Sequence, residues 1–376
     1  MRLFTDVASS ITDPFMRRAF ELAENGRGTT SPNPMVGCVL VQDDEVVGEG
    51  YHARAGEPHA EVLALRAAGP RAAGATAYVT LEPCNHEGRT PACSEALLTR
   101  AVAGVVIGMR DPNPVAVGGA VRLREAGVEV EFEADPTPYE VQNEAWLHYV
   151  RTGRPFIQVK TALSLDGHAS SGAGARCAIT GAGGREVTMR LRAAADAVVV
   201  GSSTARIDDP ALLVRDADGV PVERQPLRVV LGRTRMPDVS LFHDGYGPTL
   251  ALAPDGVEIP DAVETLRYSA DEGVLGGFEK LAQRGIVRVL VEAGPMLLTS
   301  LWDKGLIDEL VCLHAGGMAG KQAPPLYARD AGTLERITCE MLPLETGISG
   351  EDAVTVWRPR GQDSAGGPGT GRKGDG

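Results

Sequence analysis

Four residues in the first hundred positions have the types and spacing of a hydrolytic metal site. His59 and Glu61 lie two positions apart, Cys84 follows a proline, and Cys93 lies nine positions further on. One imidazole and two thiolates form a zinc ligand set that leaves the fourth position of the metal open for a water molecule. Glu61 can then carry the proton of that water. This combination is typical of zinc deaminases, although their usual pattern places only two residues between the cysteines.

Composition restricts the class of protein. The chain has 376 residues, enough for two domains, and its 43% hydrophobic and 23% charged residues are ordinary for a globular protein. No apolar run reaches the roughly 20 residues that a bilayer span needs. The N-terminus lacks the apolar core of a secretory signal. Six irregularly spaced cysteines do not indicate a disulfide framework, so a reducing cytoplasm is expected.

The charge distribution bears on the class of substrate. Residues 1–150 contain 12 Arg, no Lys and 21 acidic residues, and the whole chain has a formal net charge of -13. A protein that binds nucleic acid presents clustered basic residues to the phosphates. The acidic first half therefore favours a small-molecule substrate, and nucleic-acid editing would require a local basic cleft.

An alternation of strand and helix signals is expected to position the four residues. Asp13 is placed to cap one helix and Ser94 to cap another. The predicted helices of this half are 14–24, 59–68, 94–100, 120–126 and 139–150, and the predicted strands are 36–41, 46–51, 76–81, 102–108 and 128–132. Such an order predicts an α/β sheet with helices on its faces. Both cysteines then fall at strand-to-helix junctions, where open α/β sheets carry their active sites.

Residues 151–155 are predicted to link this half to a second α/β unit. Its predicted strands are 156–162, 197–201, 227–231, 249–253, 287–292 and 309–314, and its predicted helices lie near 183–194, 273–284 and 295–304. No Gly-x-Gly-x-x-Gly motif follows a strand, and the glycines of residues 181–184 are interpreted as the entry to a helix. We expect domains at 1–150 and 151–360. The Gly-rich polar residues 361–376 are expected to form a disordered tail.

The deaminase-like half resembles one family in particular. Residues 83–93 (PCNHEGRTPAC) closely resemble the deaminase domain of the bifunctional riboflavin-biosynthesis deaminase/reductase family. Residues 30–34 (TSPNP), 48–52 (GEGYH), 54–61 (RAGEPHAE) and 111–114 (DPNP) extend the resemblance on both sides. It implies a cytidine-deaminase-like three-layer domain. The implied reaction is deamination of a diaminopyrimidinone that carries a ribosylamino 5′-phosphate.

The second half resembles the reductase domain of the same family. The matching segments include residues 160–167 (KTALSLDG), 290–295 (LVEAGP) and 305–310 (GLIDEL). The resemblance implies a dihydrofolate-reductase-like fold that uses NADPH to reduce the ribosyl group to ribityl. It covers nearly the whole chain except the tail. A homo-oligomer is suggested by the resemblance alone.

The implied sites can be carried over by position. Zn²⁺ is expected on His59, Cys84 and Cys93, with Glu61 as proton carrier. Asn33 suits the amide-like edge of a pyrimidine because its side chain donates and accepts at once, although a turn residue between two prolines is the plain alternative. The reductase residues expected to face the nucleotide are Ala162, Thr204, Asp208, Gly294, Pro295, Met296, Leu297 and Leu298. Those expected to face the substrate are Arg192, Leu212, Arg215 and Glu292, and Lys160 and Glu292 are candidate polar catalytic groups.

Several residues of the second half depart from the family pattern, so alternative functions for this half are considered. Arg176 and Ala178 stand where the family commonly has Ser and Trp, and Gly232 and Arg233 stand where it often has Asp and Ser. Loss of the Trp removes a flat contact surface, and Arg233 could favour the 2′-phosphate of NADPH. One alternative is a deaminase whose C-terminal domain is a binding or assembly module without redox activity. Another is the same chemistry on a related pyrimidine of a specialised pathway.

Overall fold

The computed structural model describes residues 2–86, 91–169, 178–327 and 340–360. The chain divides into two compact units. One consists of Met1–Phe156, Ala193–Asp196 and Glu272–Val289, and the other of Ile157–Arg192, Ala197–Asp271 and Leu290–Gly376. The boundaries predicted near residues 150 and 360 stay predictions, and the expected disordered tail lies outside the described residues.

The first unit is built on a five-stranded sheet with the order β2-β1-β3-β4-β5. Its strands are β1 (Gly37–Gln42), β2 (Glu45–Tyr51), β3 (Thr76–Leu81), β4 (Gly104–Met109) and β5 (Glu129–Phe132). Its helices are α1 (Pro14–Glu24), α2 (Ala60–Ala68), α3 (Cys93–Thr99), α4 (Gly119–Glu125), α5 (Thr137–Gln142) and α6 (Glu144–Thr152). Strand β1 is antiparallel to β2 and β3, whereas β3, β4 and β5 are parallel.

Alternate residues of β1 place helices on both faces of this sheet. Cys38 and Leu40 belong to an apolar cluster with α2, α3 and α4. Val39 and Val41 pack in a separate cluster with α1. Successive side chains of a strand point to opposite faces, so the unit has three layers. This agrees with the predicted cytidine-deaminase-like architecture.

Local capping explains where α1 begins. The Asp13 carboxylate accepts hydrogen bonds from the backbone N–H groups of Phe15 and Met16 at 2.8 and 2.9 Å. Pro14 occupies the first helical position, where its missing N–H costs nothing. The predicted helix and its cap are therefore confirmed.

Two local predictions were wrong because tertiary contacts override the local signal. Helix α3 begins at Cys93 after Ala92, and the Ser94 hydroxyl donates to the Asn85 side chain at 2.9 Å instead of capping the helix. The single helix predicted over 139–150 is divided into α5 and α6. Asn143 separates them because its buried amide bonds the backbone N–H and C=O of Met35.

The second unit carries most of a nine-stranded sheet with the order β10-β9-β8-β7-β11-β6-β12-β14-β13. The strands are β6 (Phe156–Leu163), β7 (Ala197–Gly201), β8 (Leu227–Leu231), β9 (Thr249–Pro254), β10 (Thr265–Tyr268), β11 (Arg288–Glu292), β12 (Glu309–His314), β13 (Met341–Ser349) and β14 (Asp352–Pro359). Its helices are α7 (Ala182–Ala194), α8 (Ser202–Asp208) and α10 (Pro295–Asp303), whereas α9 (Gly273–Gln283) belongs to the first unit. The pairs β7–β8, β8–β9, β9–β10 and β6–β12 are parallel, and β13–β14 is an antiparallel hairpin joined to β12.

The sequence interpretation missed α8, β10, β13 and β14. The hairpin pairs its two strands through Met341–Pro359 and Ser349–Asp352 and contains proline and glycine, which weaken a strand signal. None of the helices in the described part of the chain combines the length and apolar character of a membrane span.

Candidate active sites

The predicted zinc ligands come together at the ends of three elements. His59 directly precedes α2, Cys84 follows β3, and Cys93 is the first residue of α3. The His59 Nδ1 atom lies 3.2 Å from the Cys93 Sγ atom and 3.7 Å from the Cys84 Sγ atom, and all three ligand atoms lie within 4.8 Å of one another. One nitrogen and two sulfurs this close fit a tetrahedral zinc ion with one open position.

The surroundings of Cys84 favour the thiolate that a metal requires. Hydrogen bonds from the Cys93 thiol and the His59 ring lower the pKa of Cys84, and the Cys93 backbone N–H adds a third at 3.4 Å. The Ser94 N–H donates to the Cys84 carbonyl at 3.1 Å. The start of α3 therefore holds Cys84 in place and stabilises its charge.

Glu61 is buried beside this cluster. The residue is only 3% exposed and lies in the first turn of α2. Burial is the main cause that raises the pKa of its carboxyl, and the negative charge of Cys84 raises it further. A carboxyl whose pKa is raised toward neutrality can accept and return a proton during one turnover.

Asn33 is connected to the cluster through His52. The Asn33 Nδ2 atom lies 3.2 Å from the His52 Nε2 atom, and the His52 Nδ1 atom lies 3.3 Å from the Pro58 carbonyl. The His52 ring is 5.5 Å from the His59 ring. Burial lowers the pKa of His52, which favours the neutral ring. With Nδ1–H donating to Pro58, Nε2 accepts from Asn33 and the Asn33 amide is oriented.

Glu82 supports the metal loop and was missed by the sequence interpretation. Its buried carboxylate accepts from the backbone N–H groups of Gly118, Ala120 and Asp111 at 3.2, 3.0 and 3.4 Å. These bonds tie the loop of Cys84 to the start of α4. The sequence did offer a signal for this role, since Glu82 is an acidic residue directly after a buried strand and directly before Pro83 and Cys84.

The candidate polar groups of the reductase half form one partly buried cluster. Arg192 Nε lies 2.5 Å from Glu292 Oε1, and Arg192 Nη1 donates to the Leu213 carbonyl at 2.8 Å. The Ala293 N–H bonds the Lys160 carbonyl at 3.1 Å, so the ends of β6 and β11 are adjacent. Burial is the main cause that lowers the pKa of Lys160. Burial also acts to raise the pKa of Glu292, but Arg192 and Lys160 outweigh it and the pKa is lowered.

Leu212 and Arg215 lie on the loop that Arg192 holds. Leu212 is buried and has a φ of 53°, in the left-handed region. Arg215 donates to the Gly219 carbonyl at 2.7 Å across a short turn and is exposed. Fully buried Arg228 donates to the Ala211 carbonyl at 3.1 Å and thereby fixes the start of this loop.

The segment from Gly294 to Leu298 forms a turn and the first residues of α10. Among the residues that the structure describes, no side chain caps this helix. A Cβ atom at Gly294 would lie 3.3 Å from the Thr204 hydroxyl, and one at Gly201 would lie 3.6 Å from Leu297. Glycine thus allows close packing at both positions. A helix N-terminus without a side-chain cap offers positive potential to phosphates, so this segment, here called the cradle, is the candidate site for a dinucleotide. Asp208 ends α8, and Ala162 lies on β6 opposite Leu313.

The glycines of residues 181–184 are a helix entry, as predicted, and an internal carboxylate fills it. Asp352 Oδ2 accepts from the Gly181 and Gly184 N–H groups at 2.9 and 2.8 Å. A Cβ atom at Gly183 would lie 1.7 Å from the Ser349 carbonyl oxygen. This turn therefore packs against the β13–β14 hairpin and has no room for a phosphate.

Of the residues that depart from the family pattern, Arg176 lies outside the described residues, whereas Gly232 and Arg233 follow β8. Gly232 packs on Ser202, where a Cβ atom would lie 3.1 Å from the serine Cβ, and Arg233 is exposed directly after β8. Arg233 thus stands beside the start of α8, at the same end of the sheet as the cradle.

Comparison with known proteins supports both halves. Residues 9–109 match the model of the cytidine and deoxycytidylate deaminase zinc-binding region, and residues 155–349 match that of the RibD C-terminal domain. The riboflavin biosynthesis protein RibD of Escherichia coli strain K12 is 44% identical over 325 residues, which cover 82% of this chain and 89% of that protein. The protein of the same name from Haemophilus influenzae is 40% identical over 323 residues, covering 82% and 87%.

Solved structures agree with these matches. Acinetobacter baumannii RibD superposes with a TM-score of 0.82 at 36% identity and covers 92% of this chain and 98% of its own. A Thermotoga maritima protein named diaminohydroxyphosphoribosylaminopyrimidine deaminase/5-amino-6-(5-phosphoribosylamino)uracil reductase superposes with a TM-score of 0.81 at 31% identity, covering 94% and 99%. The predicted family and fold class are confirmed. This chain belongs to the bifunctional deaminase/reductase family of riboflavin biosynthesis, with a zinc-dependent deaminase domain and an NADPH-dependent reductase domain.

Proposed function

We propose that the chain deaminates 2,5-diamino-6-ribosylamino-4(3H)-pyrimidinone 5′-phosphate and then reduces the ribosyl group of the product to ribityl. The observation that carries this proposal is the cluster of His59, Cys84 and Cys93 with buried Glu61 beside it. The name of the Thermotoga maritima relative supports this substrate.

In the deaminase domain, His59, Cys84 and Cys93 would hold the metal. Zinc bound there lowers the pKa of a water ligand and so supplies a nucleophile at neutral pH. Glu61 accepts the water proton and returns it to the ring nitrogen and the departing amine. Asn33, oriented by His52, bonds the amide-like edge of the pyrimidine. Its short link to the cluster supports this role over that of a plain turn residue.

In the reductase domain, Lys160 and Glu292 are proposed as the polar groups beside the reacting sugar. NADPH supplies the hydride when it is bound. Lys160 holds the proton that must accompany the hydride, and its lowered pKa favours release of that proton. Glu292 and Arg192 bind each other and orient the substrate between them. Leu212 and Arg215 border the substrate, and Arg215 pairs with its 5′-phosphate.

Cofactor binding is proposed along the ends of neighbouring strands. The residues assigned to it are Ala162, Thr204, Asp208, Gly294, Pro295, Met296, Leu297 and Leu298. Strand β8 lies two strands from β11, a distance of about 10 Å at the usual strand spacing. Arg233, which follows β8, can therefore pair with the 2′-phosphate while the cradle at Gly294 holds the pyrophosphate.

A coupled assay tests the two activities together. The purified zinc-loaded chain is incubated with the diaminopyrimidinone ribotide, and both ammonia release and NADPH oxidation are measured. We expect one NADPH oxidised for each ammonia released. Glu61→Ala should abolish ammonia release yet still oxidise NADPH when the deaminated ribotide is supplied. Ammonia release without NADPH oxidation would contradict the second activity.

Assembly and location are proposed as well. A homo-oligomer is suggested by the family, and light scattering of the purified chain would test it. A cytoplasmic location is supported by the thiol chemistry, because Cys84 and Cys93 are free and must remain reduced to bind metal. Fractionation of cells that produce the chain would test the location.

A further inference from the structure

Two loops of the second unit leave neighbouring strands and run together. Strands β6 and β12 are parallel, with Leu163 opposite His314 at their ends. Beyond these ends, the Leu165 N–H donates to the Gly317 carbonyl at 2.7 Å, and the Ala169 N–H donates to the Pro324 carbonyl at 3.2 Å. Residues 164–169 are therefore paired with residues 315–325.

The Asp166 carboxylate fastens the two loops together. Its Oδ1 atom accepts from the Ala319 N–H at 2.9 Å and from the Ser164 hydroxyl at 2.6 Å, and its Oδ2 atom accepts from the Gly320 N–H at 2.8 Å. These bonds, first that of Ser164, lower the pKa of Asp166 and so favour its charged form. Hydrogen bonds to an ionised acceptor are about twice as strong as neutral ones. We name this arrangement of Asp166, Ala319 and Gly320 the Asp166 clasp.

The clasp presents large apolar side chains to the outside. Leu165 is 67% exposed and Met318 is 73% exposed, and both are next to residues of the clasp. Met296, in the first turn of α10, is 75% exposed. These are three of the five most exposed large apolar side chains in the described part of the chain. Large apolar side chains left exposed on neighbouring loops are candidates for contact with a ligand.

All three residues follow the ends of adjacent strands of the sheet, Leu165 after β6, Met318 after β12 and Met296 after β11. The Phe156 N–H donates to the Val287 carbonyl, and further along both strands the Ala293 N–H donates to the Lys160 carbonyl. Because the residue numbers increase in the same direction on both sides, β11 and β6 are parallel. The ends of β11, β6 and β12 are therefore adjacent. The loops that carry Leu165 and Met318 therefore leave the same edge of the sheet as Gly294, which precedes α10 directly after β11. Because Gly294 is assigned to the phosphates, the occupant inferred for this edge is the part of the dinucleotide beyond them.

We propose that Asp166 is a positioning residue of the reductase site, whose clasp holds Leu165 and Met318 as an apolar wall against the dihydronicotinamide ring of NADPH. This inference rests on the proposed function. A flat ring placed against these side chains would shield the hydride from water. Met318 adapts its shape to such a ring because its side chain is unbranched and flexible.

The test uses the full zinc-loaded chain and titrates NADPH by its fluorescence. Asp166→Asn and Met318→Ala are compared with the wild type and with Asp135→Asn. Asp135 is a matched control, since its carboxylate also accepts a backbone N–H, that of Thr137 at 2.9 Å, but only within its own turn. Hydrogen exchange of the Ala319 and Gly320 amides reports the clasp directly. Deaminase turnover and thermal melting verify that each variant is folded.

We expect Asp166→Asn to raise the Kd of NADPH about tenfold and to remove the exchange protection of both amides. Met318→Ala should raise the Kd by about the same factor while the protection is kept. Deaminase turnover and the Asp135→Asn control should be unchanged. If Asp166→Asn fails to fold, Met318→Ala decides.

Different results would overturn different claims. An unchanged Kd in Met318→Ala, or in a folded Asp166→Asn that has lost its protection, would overturn the inference alone. If the Ala319 and Gly320 amides of Asp166→Asn remain protected from hydrogen exchange, the inference is overturned as well. A Kd that varies with protein concentration would identify the wall as a contact between copies of the chain. Failure of the wild type to bind NADPH would refute the proposed reductase function together with the inference.

Discussion

The largely buried ion pair of Arg192 and Glu292 gives the most quantitative prediction. The two side chains are only 13% and 16% exposed, and Arg192 also donates to the Leu213 carbonyl. Replacing Arg192 with methionine keeps an apolar side chain of similar length but removes the charge and both hydrogen bonds. Glu292 is then left buried with Lys160 as its remaining positive neighbour.

The cost can be worked out from these contacts. Hydrogen bonds to a charged group contribute about 1.5–3 kcal/mol each, and breaking a buried ion pair costs about 3–5 kcal/mol. Because Lys160 still offsets the charge of Glu292, we expect the lower end, about 3 kcal/mol. A domain of this size loses roughly 2–4 °C of Tm per kcal/mol, so the melting of the reductase domain should fall by about 6–12 °C.

The pH dependence has a definite sign. Glu292 has a lowered pKa in the folded chain, so its contribution to the free energy of unfolding is present above its ordinary pKa and is lost as the pH falls through the folded value. The difference in stability between wild type and Arg192→Met should therefore shrink as the pH is lowered below the ordinary pKa of a glutamate.

Calorimetry of the full chain is the assay, with NADPH oxidation measured in parallel. Arg185→Met is the matched control, because Arg185 lies on the same helix but is exposed, and a change there should stay within about 0.5 kcal/mol. If the two variants melt at the same temperature, the ion pair contributes nothing measurable and the reasoning is refuted.

Four further predictions concern the proposed sites. Glu61→Gln should keep zinc but lower deaminase kcat by about 10²–10⁴-fold, and normal turnover would remove Glu61 from the proton-transfer role. Cys84→Ser should lose zinc by elemental analysis, whereas a full complement of metal would exclude Cys84 as a ligand. Arg233→Ala should raise the KM for NADPH about tenfold but leave that for NADH unchanged, and Arg235→Ala, an exposed neighbour, should alter neither. Arg215→Ala should raise the reductase KM for the ribotide, and unchanged kinetics would place Arg215 outside the phosphate site.

Much of the deaminase site could be predicted from the sequence. His59, Cys84 and Cys93 are recognisable because a metal restricts residue type, and Glu61 because the chemistry requires a free carboxyl nearby. The local positions of these residues also follow from the sequence, since capping and periodicity are short-range signals. Asp13 and Pro14 fixed the start of α1 in this way.

The supporting contacts could not be predicted because they join distant parts of the chain. Glu82 bonds the start of α4, Asp352 fills the glycine turn before α7, and Asp166 fastens the loop after β12. Each is one acidic residue among the 50 of the chain, and its local pattern does not reveal which distant backbone groups it bonds. Asn143, which breaks a continuous helical pattern through its bonds to Met35, is a further case.

The sequence by itself determined the reactive groups, the alternation of strands and helices, and the family. Only the tertiary structure decided which polar groups contact one another, and only it showed that Asp352 fills the glycine turn at residues 181–184. The physical reason is that residue type and spacing record local propensity and chemistry. The partners of a buried charge are chosen by packing, which brings together residues such as Arg192 and Glu292 from positions 100 apart.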